Sequence, residues 1–90
     1  MSRKALAIVL EDVLIKLTGN DNLASEFLGQ PTSPYPDVGP TVSWFNAVMT
    51  VVTRNLMETT LAGEFRPNDP ADGAEVLLAT RVLKQRLNLY

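Results

Sequence analysis

TVSWFNAVMTVVTRNLMETTLA, residues 41 to 62, decides the fold. Read with a period of 3.6, Trp44, Phe45, Val48, Met49, Val51, Val52 and Leu56 fill a wide apolar arc. Asn46, Thr50, Thr53 and Arg54 take the other side. The competing reading makes Val48 to Thr53 a strand, because Val and Thr are indifferent helix formers. Packing rather than propensity must therefore hold the segment. The helix is the reading adopted, with Pro40 in its first turn and Gly39 or Thr41 near its cap. Gly63 and the turn RPNDP, 66 to 70, break it.

Working outward, residues 3 to 18 repeat apolar side chains at helical spacing: Leu6, Val9, Leu10, Val13, Leu14 and Leu17. Gly19 supplies a left-handed C-terminal cap. Ile8 and Ile15 form a second apolar pair on the opposite side, between Glu11 and Asp12. Residues 21 to 28 read as a short helix capped by Asn20 or Asp21 and closed by Gly29. The last helix is expected from about 70 to 88. Asp69 is its cap, Pro70 its first residue, and Asp72 and Glu75 sit at the positive end of its dipole. Val76, Ala79, Leu83 and Leu87 make one stripe; Leu78 and Val82 make a second. The expected architecture is all-α, a small bundle of three main helices and one short one in a single domain, residues 1–90.

Between the second and third helices lies PTSPYPDVGPT, 31 to 41, the centre of a proline-rich crossover over 29–40. Proline fixes φ near −65° and donates no N–H, so extended backbone is favoured. Helix connections in bundles usually take about 2–8 residues. Two readings stand: a strap that tucks Tyr35 and Val38 against the protein's own core, and an arm that presents Tyr35 to a neighbour. The strap is preferred.

Composition excludes much. Apolar residues make up 46% and charged residues 20%, which is globular, and the net charge of −2 lacks the basic excess of a free-standing nucleic-acid binder. With no histidine and no cysteine, the commonest general base, thiolate catalysis and most metal sites are gone. Glu11 and Asp12 are adjacent on a helix and diverge by about 100°, so they cannot share a substrate. GNDN, 19 to 22, lacks the acid spacing of a calcium loop and reads as a turn. No phosphate-cradling or nucleophile-elbow motif occurs. The chain is read as non-enzymatic, without metal or cofactor. The basic, then apolar N-terminus is interrupted by Glu11 and Asp12, so a signal peptide is rejected, and Val42 to Ala62 carries too many polar groups for a membrane span.

Charge is asymmetric. Glu11, Asp12, Asp21, Glu26 and Asp37 face only Lys16 between residues 11 and 37, whereas Arg81, Lys84 and Arg86 close the chain without an acid. Apolar surface on two sides of two helices, with this asymmetry, suits contacts between copies or with other subunits. The interface residues expected are Ile8, Ile15, Tyr35, Leu78, Val82, Arg81, Lys84, Arg86 and Tyr90. The function expected is a structural or adaptor subunit of a larger homo- or hetero-oligomeric assembly, in the cytoplasm or a virion, with a phage connector or capsid accessory protein as one concrete version. The alternative is a small regulatory protein that meets nucleic acid through its basic last helix.

Overall fold

A computed structural model describes residues 1–86 of the chain, with Arg86 described by its backbone alone. The element order is α1 (Arg3–Thr18), a 3-10 turn (Asp21–Ser25), α2 (Phe45–Thr53) and α3 (Gly73–Arg86). The fold is an all-α bundle. No strand forms among the described residues; a single antiparallel bridge joins Ser2 to Pro70. The deciding segment is helical where the strand was the competitor, since Val48 to Thr53 all lie in α2.

Helix α2 has nine residues and is the centre of the molecule. Every residue from Phe45 to Val51 is buried, including Asn46 at 3% exposure and Thr50 at 0%. Of the expected polar side, Asn46 and Thr50 therefore do not face water, whereas Thr53 is exposed. Fully burying each of Phe45, Val48 and Val51 contributes roughly 1.5–3 kcal/mol. That outweighs the few tenths of a kcal/mol by which a Val or Thr disfavours a helix. The helix is shorter than the expected 41–62. Asn55 takes a left-handed φ of 62°, and the Leu56 N–H turns back to Val51 O at 2.8 Å. Just before the stop, the Thr53 hydroxyl donates to Met49 O at 2.6 Å, the local competition that makes threonine a weak helix interior. Residues 54–72 form an irregular loop that anchors Leu56, Met57 and Phe65 in the core.

Helix α1 begins where Ser2 Oγ accepts the Ala5 N–H at 3.3 Å and ends at Gly19, whose φ of 67° is the left-handed cap expected there. Leu6, Ala7, Leu10 and Leu14 face the core. Val9 and Leu17 of the expected stripe are exposed, as is Ile8 of the opposite pair. The buried face is thus rotated toward residues 6, 10 and 14. In α3 the core contacts are Ala79 and Leu83, with Val82 half-buried. The cap of α3 is Asp72, not Asp69. Asp72 Oδ1 accepts the Glu75 N–H at 2.8 Å and Glu75 Oε2 accepts the Asp72 N–H at 3.2 Å, a reciprocal capping box. The helix consequently starts at Gly73 and not at 70. Its expected end at Asn88, together with Leu87, lies outside the described residues.

The expected helix 21–28 is also absent as such, and one side chain explains it. In an α-helix the Phe27 N–H would donate to Leu23 O, four residues back. Here the Asn46 amide is inserted between them. Asn46 Oδ1 accepts the Phe27 N–H at 2.8 Å, and Asn46 Nδ2 donates to Leu23 O at 2.7 Å. The same Nδ2 donates to the Glu11 carboxylate on α1. A side chain in the backbone ladder interrupts the helix, and the segment settles as a 3-10 turn begun by Asn20 Oδ1 accepting the Asn22 N–H at 3.1 Å.

The proline-rich crossover is a strap. Val38 is 2% exposed, Tyr35 is half-buried against the core, and Asp37 binds the loop after α2, so this segment closes its own chain's core.

Two measurements check this account. Replacing Asn46 by Ala leaves Leu23 O and the Phe27 N–H without partners and should cost about 2–4 kcal/mol. Replacing Thr50, whose buried hydroxyl has no partner, by Val should leave stability unchanged or raise it by about 1 kcal/mol. Denaturant titration of both variants reads the contrast; equal losses would contradict it. Burial, reinforced by neighbouring Asp12 and partly offset by the Asn46 hydrogen bond, holds the Glu11 carboxyl above its ordinary pKa. The folded chain thus binds this proton more tightly than the unfolded chain, so stability from this group falls as pH rises from the ordinary carboxylate value through the raised one. Glu11→Gln keeps an acceptor for Asn46 and removes the charge. It should raise the melting temperature at neutral pH, and the gain should shrink to nothing below pH ~4.

Candidate functional site

A cation in the first turn of a helix opposes the helix dipole and needs another reason to be there. Arg3 has one. Its Nε donates to Phe65 O at 2.8 Å, its guanidinium reaches Glu58 O and pairs with Glu75 on α3, and its charge lies 4.9 Å from the centre of the Phe65 ring. The side chain is only 11% exposed, and that burial lowers its pKa from the ordinary arginine value. The backbone beside it is joined in the same way. The Arg3 N–H donates to Asp69 O at 2.8 Å, Lys4 N–H to Pro67 O at 3.0 Å, and Ala71 N–H to Met1 O at 2.9 Å. The loop 67–71 thereby satisfies N–H groups that a helix start leaves open.

Asp37 holds the other side of this loop. Its carboxylate accepts the Phe65 N–H at 2.9 Å and the Arg66 N–H at 2.7 Å. Arg66 has a positive φ of 58°, so two successive amides converge on one acid. The strap, the start of α1, the loop and the start of α3 meet here.

Between them is an open cleft of about 340 Å³ with Arg3 and Phe65 in its floor. Glu58, Thr59 and Thr60 form one wall; Arg66, Asp69, Asp72 and Glu75 form the other. Most of its charges are already committed: Arg66 Nε pairs with Asp69 at 2.7 Å, Glu75 with Arg3, and Asp72 caps α3. The remaining carboxylate is that of Glu58, beside two threonine hydroxyls. Such a cleft offers hydrogen bonds to a hydrophilic ligand, and its acid excess repels phosphate. Among the described residues no group of three His, Cys, Asp or Glu side chains is placed to hold a metal ion.

The residues expected at an interface are scattered around this region. Ile8 is exposed on α1, while Ile15, its partner seven residues on, is half-buried and packs on the core. Tyr35 and Val82 also lean on the core. Leu78 is exposed. Arg81 and Lys84 are exposed and line a groove of about 200 Å³ with Leu77 and Thr80. The Arg86 side chain and Tyr90 lie outside the described residues. Sequence reasoning missed Arg3, Asp37 and Asn46. For Arg3, the mismatch with the helix dipole was a readable signal.

Removing the Asp37 carboxylate leaves two loop amides without an acceptor. Asp37→Ala should cost about 1–3 kcal/mol and speed amide exchange at residues 65 and 66 ahead of α1 and α2. Uniform exchange across the chain would mean that the strap is held by Val38 alone.

Comparison with known families places this junction in context. The model of the S-layer homology domain matches residues 34–77, just under half of the chain, from the strap through α2 and the loop into the first turns of α3. No curated protein and no solved structure matches the chain.

Proposed function

We propose that the chain is a non-catalytic attachment module that holds a protein to a cell surface. The observation that carries this reading is the likeness of residues 34–77 to the S-layer homology domain, a cell-wall and surface-layer anchoring domain without catalytic activity. The matched span contains the features that organise the open cleft: Asp37 on the strap, Phe65 and Arg66 in the loop, and the Asp72–Glu75 capping box. Cell-wall polymers and surface proteins are the partners that go with the reading. A hydroxyl-bearing polymer suits a cleft lined by threonines and carboxylates, since each sugar hydroxyl both donates and accepts. The absence of histidine and cysteine from the whole sequence supports a binding role over catalysis. The adaptor role expected from the sequence keeps its form, with the cell surface as its place rather than the cytoplasm or a particle. No described helix is long and apolar enough to cross a membrane.

Co-sedimentation is the direct test. The folded chain, incubated with purified cell-wall fragments, should pellet with them. It should stay in solution when the fragments have been chemically stripped of their attached polymers. Pelleting with both preparations would point to a surface protein or to the wall backbone. Pelleting with neither sinks the reading.

A further inference from the structure

Two surface features, the first of which shares Glu58 and Thr60 with the cleft, are complementary to one another. The first is a knob. The loop after α2 makes a tight turn in which Thr60 N–H donates to Glu64 O at 2.9 Å and Gly63 N–H donates to Thr60 O at 2.9 Å. Gly63, at a φ of 83°, supplies the left-handed position. Leu61 sits at the tip with its side chain fully exposed, the most exposed large apolar residue among those described. Glu58 and Glu64 flank it, three residues away on either side. Neither carboxylate has an ion-pair or hydrogen-bond partner among the described residues.

The second is a hole. On the outer face of α3, Leu77, Thr80, Arg81 and Lys84 enclose a groove of about 200 Å³. Leu77 is 67% exposed, and the Thr80 hydroxyl is already used on Val76 O at 2.8 Å. Arg81 and Lys84 have no acidic partner among the described residues. Every other lysine and arginine whose side chain is described pairs with an acid or lies over an aromatic ring.

We propose that the Leu61 turn of one copy seats in the α3 groove of a second copy, with Glu58 and Glu64 meeting Arg81 and Lys84. The occupant is a second copy because this chain carries both halves of the match: an apolar tip between two unpaired acids, and a groove in which the exposed Leu77 lies beside two unpaired cations. Leu61 does not fill its own groove, since it is fully exposed. A knob and hole on different surface patches make the contact heterologous, so it propagates head to tail rather than closing as a symmetric pair. Burying one leucine between rim charges gives a weak contact whose register is set by charge and which salt weakens. The inference does not rest on the attachment reading, and it uses the face of α3 outside the cleft.

Amide NMR and sedimentation equilibrium on the whole chain test it over a rising concentration series at low and high salt. Shifts should concentrate at residues 58–64 and 77–84 together, with mass growing beyond the dimer and falling back in salt. Leu61→Ser should weaken association at least about tenfold, as loss of a central apolar anchor does. Two charge-reversed chains, E58K/E64K and R81E/K84E, should each stay monomeric alone and associate when mixed, because every knob then meets a groove of opposite sign. Recovery on mixing also shows that both variants fold. The proposal is overturned by a monomer at millimolar concentration, or by association indifferent to Leu61 and to charge reversal. It is equally overturned if residues 77–84 respond to an added oligonucleotide and not to the chain's own concentration.

Discussion

The described fold depends on one amide inserted into another segment's hydrogen-bond ladder. Asn46 stands on the most buried helix of the molecule, where an unpaired amide would be expensive. It satisfies itself by taking the acceptor and the donor that residues 23 and 27 would otherwise have given each other. The exchange makes the short segment after α1 dependent on α2 for its shape. The remaining Asn46 proton goes to Glu11, so three elements share one polar centre. Because an interior of low dielectric penalises any half-satisfied member, the arrangement admits one geometry and disfavours its neighbours. Thr50, one turn further along α2, marks the limit of this logic: its hydroxyl is enclosed without a partner.

At the opposite end, Arg3 performs the corresponding task for α1, the loop and α3. Its guanidinium is planar with several fixed donors, which is why it can serve Phe65 O, Glu58 O and Glu75 at once where an ammonium could not. The helix dipole makes Arg3 unfavourable where it stands, and the Phe65 and Glu58 carbonyls and Glu75 offset that. Together with Asp37, it holds the cleft from underneath and leaves above it the Thr59 hydroxyl and a Thr60 hydroxyl that accepts the Glu64 N–H and keeps its own proton to donate. The site is thus polar at the surface and largely saturated below it.

Periodicity made the helical class, the first helix and its glycine cap legible, because those depend on local spacing alone. Helix ends were less legible, since they are set by partners far away in the chain. Residues 54–62 have the composition of a helix and are a loop because Asn55 turns left-handed and Leu56 folds back on Val51. The Asp72–Glu75 box was present in the sequence, but the equally plausible pair Asp69–Pro70 stood just before it. The strap could be read only as far as its stiffness; that Asp37 grips residues 65 and 66 is a tertiary fact. Helical geometry put Asn46 on the side away from the apolar arc. A single polar residue in a very apolar helix does not announce whether it meets water or another backbone.

The stitch between residues 1–4 and 67–71 also bears on how the chain acquires its shape. The partners it joins are as much as 70 residues apart (Met1 and Ala71), so closing it costs loop entropy that local helix formation does not. During synthesis α1 leaves the ribosome before α2 and α3, with its leading N–H groups and its buried cation uncommitted. Their acceptors arrive only when the loop preceding α3 has been made. Native-like closure of this end must therefore wait for nearly the whole described chain, although α2 and the 3-10 turn, which cover the apolar face of α1, are made earlier. The same connection that finishes the molecule makes its earliest helix the last to become fully native.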